Sequence, residues 1–560
     1  MKEELTKAVA GACKELFDVD VQIELTRPDE QFGDYATNVA LQLGKKLGKN
    51  PREIGESLAE KLRQQLADSV SQVSVAGPGF LNIKLTDSAL AEQGLAASVS
   101  RPQIYKDKVV VAEYSDPSAF KVLHAGHLYT SVVGDAIANL IEAAGGTVHR
   151  VNFGGDVGLH VGKTMWAIVR ELAGEHPEKL GGIPADSRAD WMSARYVEGT
   201  NAYEDDESNQ AAIAHINKRV YQVVADDDHD SPLGQLYWTC RQWSYDYFDA
   251  FYARIGSHFE KYYPESITGP VGVKVVREQL AKGVYEESDG AIVFKGEPYG
   301  LHTRVFINSQ GLPTYEAKDV GLSMMKWEEY HFDRSIIITD NAQAQYMEVV
   351  IKSIEQFAPE LARGTTHLTH GRVKLAGGMK MSSRKGNIVR AVDVLEAAYA
   401  ASKKAGFDNQ PAALGAVKYA FIRSRLGSDI VYDPEESVSL EGNSGPYIQY
   451  AHARARSILA KTSLQGSTLK QGSTLEVGER SLLRKIGEYP EVFEKATTEL
   501  MPHHICTYLY ELAQAFNRFY EKNRVIDDPR EAVRLGLVQA YADTLKDGLG
   551  LLGIHAPDKM

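Results

Sequence analysis

Residues 124–127 read His-Ala-Gly-His, and their setting constrains the chain more than their identity does. Upstream, Lys108 to Ser115 reads KVVVAEYS, an apolar run of the kind that forms a buried parallel strand. Downstream, Leu128 to Ala144 is mostly apolar and stops at Gly145-Gly146, which predicts a helix with a glycine terminus. The two histidines therefore fall at a strand-to-helix crossing. Glycine there lets backbone approach a ligand, and the first helical turn offers free N–H groups to phosphate. A nucleotide site fits this pattern, and two loop histidines without a task are the plain alternative.

The alternation continues. Val148 to Phe153 predicts a second strand, followed by the glycine-rich GGDVGLHVG at Gly154 to Gly162. A polar, acidic stretch from about Gly174 to Asp230 interrupts the pattern as an insertion with its own helices. Alternation resumes with Arg304 to Asn308, a helix through Asp319 to Trp327 and an apolar strand at Ser335 to Thr339. The fold class expected is α/β, a doubly wound, Rossmann-like parallel sheet over about 105–405 with the insertion at about 174–300. Before it, residues 1–95 predict a small α+β module, with helices at Leu5 to Phe17 and Pro51 to Leu66 and a half-exposed strand in GPGFLNIKL. After it, 406–560 predicts an all-helical domain, since strand signals end near Ala412 and amphipathic runs fill Ile448 to Lys461, His503 to Asn523 and Pro529 to Leu552.

Composition narrows the class. A length of 560 residues leaves room for three to four domains, and 43% apolar with 24% charged residues is ordinary for a globular chain. No run approaches the roughly 20 apolar residues of a membrane span, and the N-terminal MKEELTKAVAGACKELF has no apolar signal core, so a cytoplasmic protein is expected. Cys13, Cys240 and Cys506 are isolated, which argues against disulfides or bound zinc. A net charge of −13 does not advertise nucleic-acid binding, so any RNA partner must meet local basic patches.

Residues 380–387 read KMSSRKGN: Lys380, Arg384 and Lys385 stand beside Ser382, Ser383 and a glycine, as a loop gripping polyphosphate requires. HAGH and KMSSRKGN resemble the HIGH and KMSKS motifs of class I aminoacyl-tRNA synthetases. Within that class the chain resembles the arginyl-tRNA synthetases along almost its whole length. FGDYATNVALQLGKKLGKNPREI and AGPGFLNIKL resemble their N-terminal module, and EYSDPSAFKVLHAGH and VNFGGDVG resemble their catalytic centre. GPYIQYAHARARSIL and the ending LGLLGIHAPDKM resemble their C-terminal domain.

The resemblance implies an arginine–tRNA ligase acting on L-arginine, ATP and arginine tRNA, with magnesium accompanying the ATP and a monomeric chain. It implies catalytic roles for His124, Gly126, His127, Lys380, Arg384 and Lys385. ATP would be held by Lys121, His124, Gly126, His127, Met381, Ser382 and Ser383. Arginine would be held by Asp116, Pro117, Ser118, His127, Tyr315, Asp319 and Gln343. Tyr315 and Asp319 are four apart, so they share one helix face, and a planar guanidinium calls for a carboxylate that accepts two parallel hydrogen bonds. The N-terminal module would contact tRNA and the helical domain would read the anticodon, with His452, Arg454 and Arg456, and Arg518, Lys522 and Arg524 interleaved with Phe519 and Tyr520, as candidate contacts.

Three positions depart from the family pattern. Asp116-Pro117-Ser118 replaces Ser-Pro-Asn, which adds a negative charge near the substrate's α-ammonium. Ser383 fills the second lysine position of the loop. Tyr346-Met347 stands where the family usually has His-Phe. From the residues alone, another HxGH enzyme such as a nucleotidylyltransferase, or a non-catalytic RNA-binding relative, stays open.

Overall fold

The computed structural model describes residues 1–376, 389–406, 408–462 and 474–560. In the N-terminal part, helices Lys2–Phe17, Val39–Leu47, Pro51–Gln65 and Asp87–Leu95 surround β1 (Tyr35–Thr37), β2 (Val70–Ala76) and β3 (Phe80–Leu85). These strands form an antiparallel sheet in the order β1-β3-β2. Leu81, Ile83 and Leu85 enter the core as their alternation predicts, and Asn82 is buried with them.

Five parallel strands carry the centre of the molecule: β4 (Val109–Glu113), β5 (Thr147–Gly154), β6 (Lys261–Pro264), β10 (Arg334–Asp340) and β11 (Thr365–His370). Their order is β11-β10-β4-β5-β6. From β4 the chain winds outward through β5 to β6, then crosses to β10 and β11 on the other side. The direction of winding therefore reverses beside β4, and a crevice opens at the carboxyl ends of the strands there.

Helix Ala125–Ala143 follows β4 and is buried along most of its length, which explains its nearly unbroken apolar run. Gly134 is required within it: a Cβ would lie 2.2 Å from the Tyr114 ring. The chain turns out of the helix at Gly145, whose φ is +90°.

Helices Arg188–Asp205, Glu207–Ala225 and Pro232–Ile255 lie between β5 and β6 and pack around their own apolar cluster, including Leu180, Met192, Ile213, Val220 and Tyr237. Arg304–Ile307, expected as part of the parallel alternation, is instead β9 of a separate antiparallel sheet with β7 (Glu286–Ser288) and β8 (Ala291–Phe294). The connection through 295–303 brings the chain back beside β8 rather than across the main sheet.

The C-terminal part is helical, with one short exception. Ile430–Tyr432 forms β13, paired in parallel with β12 (Val373–Leu375). Helices Gly445–Leu459, Val477–Ile486, Tyr489–Glu499, His503–Lys522 and Glu531–Leu551 follow. They pack on helix Ala125–Ala143, where Asn139 donates to the Leu551 carbonyl at 3.3 Å, and within the C-terminal part the buried Lys418 donates to the Gly553 carbonyl at 2.8 Å. They also clasp the N-terminal sheet. Arg480 pairs with Asp34 at 2.5 Å and with Asp87 at 2.6 Å, while Glu491 accepts from Arg27 at 2.7 Å and from the Tyr35 hydroxyl at 2.8 Å.

Candidate active site

The crevice at the strand ends is a cavity of about 610 Å³. Ser115 and Asp116 reach it from the end of β4, Phe153 and Gly155 from β5, Glu265 from β6, Asp340 from β10 and His370 from β11. His124, Gly126 and His127 close it from the start of the Ala125–Ala143 helix, and Tyr315, Asp319, Gln343, Tyr346 and Met347 from the opposite wall. The HAGH, Asp116/Ser118 and Tyr315/Asp319 groups thus meet although nearly 200 residues of sequence separate the first from the last.

The HAGH turn is a reciprocal cap. The Gly126 and His127 N–H groups donate to His124 Nδ1 at 3.1 and 3.4 Å, and the His124 N–H donates to His127 Nδ1 at 3.1 Å. The two rings stack with centroids 3.7 Å apart. A Cβ at position 126 would fall 2.8 Å from His124 Cε1, so glycine is needed for this stack. Because both Nδ1 atoms accept, each imidazole is held as the neutral tautomer with Nε2–H as its donor. Burial, followed by neighbouring positive charge, pushes His124 down to about 4 and His127 well below the ordinary range. Two neutral N–H donors and a helix N-terminus thus line one wall, an arrangement suited to stabilising charge on phosphate.

The approach to this turn is strained. Ser115, Asp116 and Phe120 have φ of 76°, 47° and 67°, and each left-handed non-glycine residue costs about 1–3 kcal/mol. Hydrogen bonds hold the segment: Gly155 N–H donates to the Pro117 carbonyl at 3.2 Å, and Ala119 N–H donates to the Gly155 carbonyl at 2.8 Å. Asp116 Oδ1 accepts from Phe153 N–H at 2.8 Å. Pro117 therefore shapes the wall through its backbone, while Ser118 and Asp116 present side chains to the cavity.

The opposite wall is acidic. Helix Tyr315–Tyr330 begins at Tyr315 and brings Asp319 one turn later onto the same side. Asp319 is 7% exposed, and among the described residues its carboxyl has no hydrogen-bond partner. Burial first, then the charge of Glu113, pushes its pKa well above the carboxylate range, and the same two causes act on Asp116. Of the other acids lining the cavity, Glu113 pairs with Lys326 and Glu265 with Lys318 at 2.5 Å, all four buried, while Asp340 accepts from the Ala342 N–H at 2.8 Å and has no cation partner among the described residues. The cavity therefore holds three carboxyl groups, those of Asp116, Asp319 and Asp340, that carry no counter-cation among the described residues.

Not every expected residue meets here. Lys121 does not line the cavity; its ammonium lies 4.1 Å over the Tyr196 ring. Lys380, Met381, Ser382, Ser383, Arg384 and Lys385 fall outside the described residues. The segment just beyond them is tied to the turn, since Ala125 N–H donates to the Val389 carbonyl at 3.0 Å and Ala391 N–H to the Leu123 carbonyl at 2.8 Å. Glu265 and His370 line the site without having been legible in the sequence; Glu265 directly follows β6 and His370 ends β11, two short edge strands with little apolar signal. Among the RNA candidates, His452 is 1% exposed with Nδ1 2.8 Å from the Pro557 carbonyl, so it packs inside. Arg454 lies over the Tyr520 ring at 4.7 Å, and Arg456 pairs with Asp558 at 3.0 Å. Among the described residues no three His, Cys, Asp or Glu side chains gather to hold a metal, and no helix is long and apolar enough to cross a membrane.

A reversing parallel sheet with HxGH capping the helix after its central strand defines the catalytic core of a class I aminoacyl-tRNA synthetase. Family profiles give the same result along the chain: an arginyl tRNA synthetase N-terminal domain at residues 1–85, the class I (R) tRNA synthetase catalytic domain at 88–417 and a DALR anticodon-binding domain at 448–560. The chain belongs to the arginyl-tRNA synthetase family. It is similar to arginine–tRNA ligases of Flavobacterium psychrophilum, 29% identical with all of both chains covered, and of Porphyromonas gingivalis, 28% identical with all of this chain and 99% of the other covered. The structure superposes on the arginyl-tRNA synthetase of Thermus thermophilus with a TM-score of 0.82 at 25% identity, each chain covered completely. The Plasmodium falciparum arginyl-tRNA synthetase shares the fold at a TM-score of 0.81 and 20% identity, over all of this chain and 99% of that one.

Proposed function

We propose that the 610 Å³ cavity takes L-arginine with its two cationic ends on Asp116 and Asp319 and holds ATP across the HAGH turn. The observation that carries this reading is that Asp116 and Asp319 face the cavity from its two walls with no counter-cation among the described residues. A ligand with one ammonium and one guanidinium supplies a cation to each of these two walls, and a planar guanidinium can meet the Asp319 carboxylate with two parallel hydrogen bonds. Tyr315 and Gln343 flank that end, and Ser118 offers a hydroxyl at the amino-acid end.

The chemistry follows as two displacements. A carboxylate oxygen of arginine attacks the α-phosphorus of ATP, the bond to the bridging oxygen breaks, and pyrophosphate leaves arginyl-adenylate. The terminal ribose hydroxyl of tRNA then attacks the adenylate carbonyl, and AMP departs with the arginyl ester formed on tRNA. No side chain needs to become covalently attached, so the protein contributes position and charge. The Nε2–H groups of His124 and His127 donate to phosphate oxygens as charge builds on them, and Gly126 leaves room for the nucleotide against backbone. Magnesium, which would shield the ATP phosphates, has no ligand cluster among the described residues and is read as travelling with the ATP.

Lys121, Lys380, Arg384 and Lys385 are read as triphosphate contacts, and the helical domain beyond residue 445 as the reader of the anticodon. The cytoplasm is the compartment this reading assigns, in keeping with three free, buried cysteines. The test is to offer total tRNA with each amino acid in turn. Arginine alone should be esterified; equal charging with lysine or methionine would overturn the assignment of Asp319.

A further inference from the structure

Helix Arg188–Asp205 lies in the insertion, yet it touches the catalytic core along its length. Asp190 pairs with Arg390, both carboxylate oxygens at 2.9 Å from Nη1, directly beside the ladder that joins residues 389–391 to the HAGH turn. Gly199 packs on the backbone of helix Leu159–Glu171, where a Cβ would meet the Lys163 carbonyl. Tyr196 and Tyr203, seven apart and hence on one face, each lie under a lysine of the core: Lys121 at 4.1 Å and Lys163 at 4.5 Å from the ring centroids.

The Lys121 contact is unusual. Its ammonium is partly buried, and no carboxylate stands within ion-pair distance among the described residues. The Tyr196 ring is its immediate partner. A buried cation without a counter-ion destabilises its own charged form unless a π-face or an arriving anion supplies the missing charge.

We propose that Tyr196 is a positioning residue for ATP use: it holds the Lys121 ammonium beside the HAGH turn, ready for the triphosphate. The inference rests on the reading of that turn as the ATP site and adds the insertion to the machinery. The groups facing Lys121 agree with it. His124, His127 and His160 all feel its positive charge. Burial and Lys163 push the Lys121 pKa down, whereas Tyr196 and the more distant Glu265 push it up. Without the tyrosine, less of the ammonium survives as pH rises, and what survives has no fixed place.

The experiment compares Tyr196→Leu, Tyr196→Phe, Lys121→Ala and the Leu/Ala double variant in arginine-dependent pyrophosphate exchange with saturating tRNA. Tyr196→Leu should lower kcat/KM for ATP by about tenfold or more, the scale of a desolvated cation–π contact, and leave the KM for arginine within twofold. Its alkaline limb should move to lower pH, a shift that a merely structural role would not produce. Tyr196→Phe keeps the ring and should stay within about threefold of the parent. Lys121→Ala should be impaired, and adding Tyr196→Leu to it should cost nothing further. If Tyr196→Leu uses ATP normally while Lys121→Ala does not, or if the two losses add, the positioning role is wrong and the ATP site stands. If Lys121→Ala is itself harmless, the assignment of Lys121 falls, and this proposal with it.

Discussion

Replacing Asp319 by asparagine removes one charge and almost no volume, so its effect isolates the electrostatic part of arginine recognition. At about 4 Å and an effective dielectric of about 20, a guanidinium and a carboxylate attract by about 4 kcal/mol, or about 10³ in an equilibrium at 1.4 kcal/mol per decade. Part of this is offset before arginine arrives. Burial and the neighbouring Glu113 hold the Asp319 pKa high, so the carboxyl must release a proton to receive its ligand. The sign follows: as pH rises toward and through that raised pKa, the parent gains arginine affinity and the asparagine variant does not. We expect kcat/KM for arginine to fall by about 10² to 10³ near pH 7, with the gap widening as pH rises. Folding stability should run the other way. A carboxyl whose pKa is raised on folding contributes fully below its unfolded value and loses that contribution as pH rises through the folded value, so the variant should melt at or above the parent Tm at pH 8. Pyrophosphate exchange across this pH range and thermal melts of both proteins measure the two effects. Arginine use within threefold of the parent, with no pH-dependent gap, would show that the guanidinium lies elsewhere.

Other substitutions probe the HAGH turn and its coupling to RNA. His127→Ala should slow adenylate formation by about 10²-fold, the scale of one lost donor to transition-state charge, with ATP affinity within a few-fold; single-turnover kinetics showing an unchanged chemical step would reduce His127 to a binding contact. Gly126→Ala should separate the stacked rings and lower activity at least tenfold, with a modest change in Tm; full activity would mean that the reciprocal cap is dispensable. With His124 held near 4, no loss of activity between pH 6 and 8 should trace to its protonation; an acid limb near 6.5 that disappears in His124→Gln would contradict that. Exchange of pyrophosphate into ATP should be negligible without tRNA and restored by tRNA bearing an arginine anticodon; robust exchange in RNA-free protein would disconnect the helical domain from the catalytic centre without touching the ligase reading.

What the sequence could reveal followed from locality. The strand, the HAGH turn and the following helix are contiguous, so spacing alone brings the two histidines to a helix start. Tyr315 and Asp319 share a face for the same reason. β6 and β11, reading KYYP and TTHLTH, were not legible because short edge strands need little apolar sequence, and Glu265 and His370 were hidden with them. Arg304–Ile307 has the residues of a strand, but residues of that kind do not specify which sheet it joins. Asp116 shows another limit. Its identity announces a negative charge, whereas burial and Glu113 favour the protonated form until a cation arrives. The pairing of Glu113 with Lys326 spans 213 positions and had no local signature, although breaking such a buried pair typically costs about 3–5 kcal/mol.

The clasp between Asp34, Asp87 and Arg480 joins residues separated by up to 446 positions. During synthesis the N-terminal sheet emerges from the ribosome long before the helix that neutralises its acids. Until Val477–Ile486 appears, Asp34 must stay hydrated, and the surface later covered by Leu483 and Arg484 remains open to solvent. Closing so long a loop is slow compared with local folding. The nascent chain therefore passes through a stage in which the first module still waits for its seat.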